Sequence, residues 1–219
     1  MRNVRRPRRV LLLIATALLT AAAAGGEQVE VRSLHQQLLL GDATQVQVKL
    51  SFGDITVEGF AGSSVEIDMA LDCDRQDMEA CKRRAERIQL APRIRRGDLQ
   101  VRLDRTSRAR LRGVKARLKV RIPSHVPLEV DVNSGDVYVT GLTSHVNVNS
   151  GAGDVDVLAR RDRTALVNVD IGLGTADLWL GDGRVKGSGW PRSIDWRGAG
   201  EAEINVDVVG TGDVSIRLE

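Results

Sequence analysis

Carboxylates, tryptophans and a pair of cysteines are the residues here whose types and spacing could do chemistry. Asp154 and Asp156 stand two apart, so on a strand both point to one side, as two acids sharing the hydrolysis of a glycoside must. Glu129, Asp131, Asp136, Asp154, Asp156, Asp170, Asp177 and Asp207 fall at outward positions and supply the hard oxygen ligands that calcium takes. Yet Gly151-Ala152-Gly153-Asp154 does not keep the period of calcium-binding β-rolls, and turn capping with a solvated acidic face accounts for the same residues. His35, His125 and His145 are scattered without ligand spacing, and Ser134-Gly135 and Ser150-Gly151 belong to turns rather than to a strand-turn-helix elbow. No catalytic, metal or cofactor-binding residue is expected. Trp179, Trp190 and Trp196 stand out in an aromatic-poor chain. An exposed tryptophan near acids can stack on a sugar ring, so these three are the candidate ligand contacts; otherwise they cap the end of the fold.

Cys73 and Cys81 predict a disulfide. A helix through both would hold them about 12 Å apart, beyond the roughly 4.4–6.8 Å a disulfide tolerates. The bond therefore requires the helix to begin near Asp77, with Cys73 folded back over its first turn.

The elements that must position these residues are written as a repeat. Asn133-Ser134-Gly135-Asp136-Val137-Tyr138-Val139 returns as Asn149-Ser150-Gly151-Ala152-Gly153-Asp154-Val155-Asp156-Val157. Related phrases carry Gly53-Asp54, Gly97-Asp98 and Gly212-Asp213. The turn motif is thus Gly53, Asp54, Gly135, Asp136, Gly153, Asp154, Gly212 and Asp213, with glycine supplying positive φ and aspartate bonding the turn's own amides. Between these turns apolar and polar residues alternate, as in Leu118, Val120 and Ile122, or Val146 and Val148, so each strand has one buried face. The period changes once: Met78, Cys81, Ala85 and Ile88 follow helical spacing, capped by Asp74 or Asp77 and stopped before Pro92. The pattern predicts an all-β fold, a single-stack, solenoid-like array of short strands, with one short α-helix near residues 77–90. The helical insertion covers 74–90, and 181–200 reads as irregular.

Arg2, Arg5, Arg6, Arg8 and Arg9 precede the apolar run Val10–Leu19 and a small-residue stretch ending near Ala24. That is the layout of a signal peptide over residues 1–24, leaving a single β-repeat domain over 25–219. Without those arginines, 27 Lys and Arg face 29 Asp and Glu, so the basic balance of the whole chain is that of its leader. The basic stripe Arg108, Arg110, Arg112, Lys115, Arg117, Lys119 and Arg121 alternates with apolar residues and reads as a solvated strand face. Nucleic acid is not an expected partner, and the membrane is met only through the signal peptide.

The iterated phrases from Ser134 to Leu142 and from Ser150 to Val157, behind a signal peptide, resemble the bacterial putative-adhesin β-strand-repeat family, a domain of unknown function. The resemblance covers Gln45 to Leu218, is most specific from Pro127 to Leu180, and loses its spacing around Trp190-Pro191. It implies an exported β-repeat protein, periplasmic or on the cell surface, with no catalytic residues to carry over. The expected function is non-enzymatic: adhesion or surface interaction with an envelope glycan or protein. The alternatives are a polysaccharide-active enzyme on the same scaffold and a periplasmic accessory or sensor factor in envelope maintenance.

Overall fold

The computed structural model describes residues 28–103, 113–181 and 183–219, with the Gln76 side chain left aside. The signal peptide and Arg108, Arg110 and Arg112 lie outside the described residues. In chain order the strands are β1 (Gln28–Leu39), β2 (Gln45–Leu50), β3 (Asp54–Phe60), β4 (Ser64–Asp74), β5 (Arg93–Arg95), β6 (Asp98–Arg102), β7 (Val114–Pro123), β8 (Leu128–Val132) and β9 (Val137–Thr140). They continue as β10 (Val146–Ser150), β11 (Val155–Ala159), β12 (Thr164–Leu173), β13 (Ala176–Leu180), β14 (Gly183–Lys186), β15 (Arg192–Arg197), β16 (Ala202–Thr211) and β17 (Val214–Leu218). The helix α1 (Met78–Ala85) lies between β4 and β5.

These strands form two open, mixed sheets. Sheet A runs β1-β4-β7-β3-β9-β11-β17-β13-β14, and sheet B runs β15-β12-β16-β10-β8-β2-β6-β5. A tight turn carries the chain from sheet B to sheet A in five coils, β2–β3, β8–β9, β10–β11, β12–β13 and β16–β17, and β6 in sheet B with β7 in sheet A makes a sixth pair of the same placement. Neighbouring coils pair in parallel and their valines fall in register. Val48, Val130, Val148, Val206 and Val169 make one inward row across sheet B, and Val57, Val139, Val157, Ile216 and Leu178 make one across sheet A. All ten are buried in one cluster between the sheets. Stacked β-branched side chains of this kind are the unit of sheet stabilisation.

The all-β class with one short helix is as expected, but in place of the single-stack, solenoid-like array the structure has two open mixed sheets whose strand order departs from the sequence. Along both sheets the β6–β7 coil lies outside the β2–β3 coil, and the β16–β17 coil is inserted between β10–β11 and β12–β13. Antiparallel strands finish the ends: β4 and β1 beyond β7, β14 beside β13, and β15 beside β12. The stretch 181–200, expected to be irregular, holds β14, which pairs back on the preceding β13, and β15, which pairs with β12 across the intervening β13 and β14.

One column of turns sets the spacing between coils. Gly135 and Gly153 take φ values of 140° and 125°, which side chains rarely adopt. A Cβ on Gly135 would overlap the Gly53 carbonyl, one on Gly153 the Gly135 carbonyl, one on Gly212 the Gly153 carbonyl, and one on Gly174 the Gly212 carbonyl. The aspartates beside them do not bond the amides of their own turns, as the sequence suggested. Each carboxylate instead accepts from the next coil: Asp136 N donates to Asp54 Oδ1 at 3.4 Å, Asp154 N to Asp136 Oδ1 at 3.0 Å, and Asp213 N to Asp154 Oδ1 at 2.9 Å. Thr175 ends the ladder, its N and Oγ1 both 2.8 Å from Asp213 Oδ1. At the other end Lys115 Nζ lies 2.8 Å from Asp54 Oδ2, a hydrogen bond that raises the lysine pKa against the desolvation that lowers it. A buried or crowded amide at a strand entrance needs such an acceptor.

At the far end of sheet A, α1 packs on β4, β1 and β7 where sheet B has already stopped. Cys81, Ala85 and the following Ile88 face the core, as their spacing predicted. Cys73 and Cys81 are bonded with their Cα atoms 5.9 Å apart, and a single 3-10 turn over Arg75–Asp77 brings the helix in at Met78. Asp77 stands at the N-cap without a side-chain cap bond and accepts from Arg84 Nη2 at 2.5 Å. The helix is shorter than the expected 77–90 because its last turn tightens: Arg87 N donates to Arg84 O and Ile88 N to Ala85 O. Arg32 Nη1 from β1 then donates to the carbonyls of Ala85, Glu86 and Ile88 at 2.7, 2.6 and 2.8 Å, placing a cation at the helix C-terminus.

Two stability outcomes follow from these contacts. Gly153→Ala should cost about 3–5 kcal/mol in urea denaturation, whereas Asp154→Asn, which keeps an acceptor for the Asp213 amide, should cost under about 1 kcal/mol. Replacing Cys73 and Cys81 by serine should cost about 2–3 kcal/mol, and titration of the native protein should find no free thiol.

Candidate functional site

The outer faces of the two sheets differ in how far their charges are already spent. On sheet A the predicted basic stripe is answered strand by strand. Besides Lys115 on Asp54, Arg117 donates to both oxygens of Asp72 at 2.6 and 2.9 Å, Lys119 meets Glu58 at 2.8 Å, and Arg121 meets Glu66 at 2.5 Å. Asp72 is 4 % exposed, so Arg117 also relieves a buried carboxylate, and that hydrogen bond raises the Arg117 pKa. Arg121 covers the Phe60 ring at 4.6 Å, and His35 bonds Asp68 at 2.6 Å. This end of the face is an internally neutralised lattice.

The outer face of sheet B is different. Its register sets Asn147 beside Asn205, Asn205 beside Asn168, and Asn168 beside Asp195. One step along the strands, Asn149 lies beside Asp207, Asp207 beside Asp170, and Asp170 beside Ser193. Neighbours share hydrogen bonds along these rows: Asn168 Nδ2 donates to Asn205 Oδ1 at 3.1 Å, and Asn149 Nδ2 to Asp131 Oδ1 at 3.0 Å. Lys49, 2.7 Å from Asp131, neutralises the row only at its β2 end. Among the described residues neither Asp170 nor Asp207 lies within ion-pair distance of a cation. The surface dips here into a shallow depression of about 410 Å³ lined by these amides and carboxylates. Such a floor offers donors and acceptors in rows at strand spacing, roughly 4.8 Å apart.

The carboxylates singled out in the sequence are thus divided among roles. Glu129, Asp131, Asp170 and Asp207 lie on the face of sheet B, Asp156 and Asp177 on that of sheet A, and Asp136 and Asp154 in the turn ladder with Asp54 and Asp213. Asp154, half of the pair with glycosidase spacing, holds the Asp213 amide. Among the described residues no three His, Cys, Asp or Glu side chains converge as metal ligands. His145 is used locally, its Nδ1 accepting from Glu203 N at 3.2 Å.

The three tryptophans share one end of the stack but not one face. Trp179 on β13 points outward from sheet A with the Arg184 guanidinium 4.6 Å over its ring, and Arg184 also pairs with Asp177. Trp190, 76 % exposed, sits in the link between β14 and β15. Trp196 on β15 packs against the core from the inner side and lines an open groove of about 950 Å³ with Arg160, Arg161, Asp162, Arg197 and Glu219. The asparagine rows had no counterpart in the sequence reading. Asn147, Asn168 and Asn205 are far apart along the chain and become neighbours only through the inserted β16.

No family model and no curated protein sequence matches the chain. Among solved structures, a putative cell adhesion protein from Clostridium sporogenes superposes with a TM-score of 0.51 at 12% identity, over 86% of this chain and 99% of that one. A putative adhesin from Bacteroides fragilis matches at 10% identity over 84% and 97% of the two chains, with a TM-score of 0.27. Another from Parabacteroides merdae matches at 11% identity over 84% and 81%, with a TM-score of 0.25. The chain shares the fold of the Clostridium sporogenes protein.

Proposed function

We propose that this chain is an exported, non-enzymatic surface-interaction module of the bacterial envelope that recognises a glycan on the amide and carboxylate rows of sheet B. The single observation that carries the reading is the open face bearing Asn147, Asn168, Asn205, Asp170 and Asp207, where among the described residues Arg197 lies 3.9 Å from Asp195 and no cation lies within ion-pair distance of Asp170 or Asp207. Side-chain amides and carboxylates satisfy adjacent sugar hydroxyls in pairs, and a flat array of them can follow a chain of sugars rather than enclose one. The groove beside Trp196 adjoins this face through Asp195 and Arg197 of β15 and supplies an aromatic surface for a terminal ring.

Export is supported by the signal-like residues 1–24 and by the Cys73–Cys81 bond, which persists in oxidising compartments. Among the described residues no helix is long and apolar enough to cross a membrane. The name of the Clostridium sporogenes protein, a putative cell adhesion protein, is in keeping with this reading.

A glycan array and a pull-down from envelope extract, run on the purified mature chain, test the proposal. Saturable binding is expected, weakened about tenfold or more by Asn168→Ala with Asn205→Ala and unchanged by Lys119→Ala on the opposite sheet. Silence across both screens, or binding indifferent to the asparagines, would reject it.

A further inference from the structure

The two sheets leave four edges, and three of them are guarded. β5 is three residues long with arginine at both ends, and β14 is four residues long with Arg184 and Lys186. β15 carries Arg192, Asp195 and Arg197, and its Ser193 exchanges hydrogen bonds with Ser188 across the outer side. Short, charged or covered edges resist the addition of a further strand. β1 has twelve residues, and from Ser33 to Leu39 it contains no Asp, Glu, Lys or Arg.

The register shows which backbone groups of β1 are free. Leu40 N donates to Ser63 O, and the pairing continues through Leu38 with Val65, Gln36 with Ile67 and Leu34 with Met69. In an antiparallel ladder every second residue bonds the same neighbour, so Ser33, His35, Gln37 and Leu39 turn their N–H and C=O groups away from β4. Among the described residues no strand pairs with that side. On the inner face Leu34 and Leu38 pack against the core while remaining partly exposed. Between them the buried Gln36 Oε1 has no hydrogen-bond partner, although its amide is built to accept two.

We propose that a second copy of this chain pairs antiparallel with β1 about a two-fold axis at Gln36, joining the two nine-stranded sheets into one. In this register His35 lies opposite the partner's Gln37 and Ser33 opposite the partner's Leu39, so the free groups on both edges bond. Gln36 faces its own counterpart in a non-hydrogen-bonded pair, where side chains approach most closely, and the two amides can donate and accept reciprocally. Leu34 meets the partner's Leu38, extending the core across the seam. A one-residue slip would exchange inner and outer faces, and a slip that moved the axis to residue 35 or 37 would set Gln36 against leucine and leave its oxygen orphaned. One register satisfies the edge, the leucines and the glutamine together.

Sedimentation equilibrium on the purified mature chain, disulfide intact, should show a concentration-dependent dimer. Gln37→Pro removes an outward N–H and leaves the β1–β4 bonds in place, so it should raise the dimer Kd about tenfold or more without changing the thermal midpoint of the monomer. Gln36→Cys should link the dimer covalently on oxidation, because Cα atoms in a non-hydrogen-bonded pair lie about 4.5 Å apart, within disulfide range; Ser33→Cys should not. A chain that stays monomeric at every soluble concentration overturns the proposal, as does a dimer that is indifferent to Gln37→Pro and unlinked by Gln36→Cys.

Discussion

Backbone pressed against backbone at the turn from sheet B to sheet A is the constraint on which this fold depends. Gly53, Gly135, Gly153, Gly212 and Gly174 stack so that the carbonyl of one coil fills the space a Cβ on the next would need. A coil displaced by one residue would drive a side chain into that column, so the contact fixes register as well as distance. The aspartates then add a directional bond per step, joining coils that are far apart in sequence. With the turns pinned, the inward valines align because they must, and the core becomes rows of nearly identical side chains.

The same pinning makes the outer faces periodic. Whatever residue type occupies an outward position in one coil sits beside its equivalent in the next, which is how Asn147, Asn205 and Asn168 come to lie abreast. On sheet A this periodicity brings opposite charges together and they cancel; on the far half of sheet B it brings amides beside Asp170 and Asp207, which among the described residues have no cation within ion-pair distance. A face of this kind can hold an extended partner by many weak, repeated bonds. Of the acid pair Asp154 and Asp156, Asp154 is engaged in the turn ladder, where its Oδ1 accepts from the Asp213 amide.

Most of the local structure was legible in the sequence, because alternation and glycine placement are local signals. The strands from Leu118 to Leu218, the helix face of Cys81, Ala85 and Ile88, and the Cys73–Cys81 bond all follow from periods of two or three to four and from the reach of a disulfide. The turn motif marked the right residues for the right element but assigned Asp136, Asp154 and Asp213 to their own turns, since a sequence shows a turn and not the coil above it. Coil order was hidden for the same reason. Identical valine phrases make every coil a suitable neighbour for every other, and nothing in the phrase at Val214 says that it belongs beside Val155 and Ala176. Arg32 reaching the end of α1 and the pairing of β15 with β12 are likewise long-range. The asparagine rows, built by that ordering, could not be seen before it.

The inserted coil also governs how the two halves of the stack hold together. β16 and β17 pair with β10 and β11 on one side and with β12 and β13 on the other, and β12 and β13 have no other coil beside them. Among the described residues the β12–β13 coil and its edge strands join the two sheets through their pairing with the β16–β17 coil. The part of sheet B that carries the paired asparagines is completed by the coil furthest along the chain. The amide rows and the integrity of the stack therefore rest on the same insertion, and a change that loosens β16 acts on both at once.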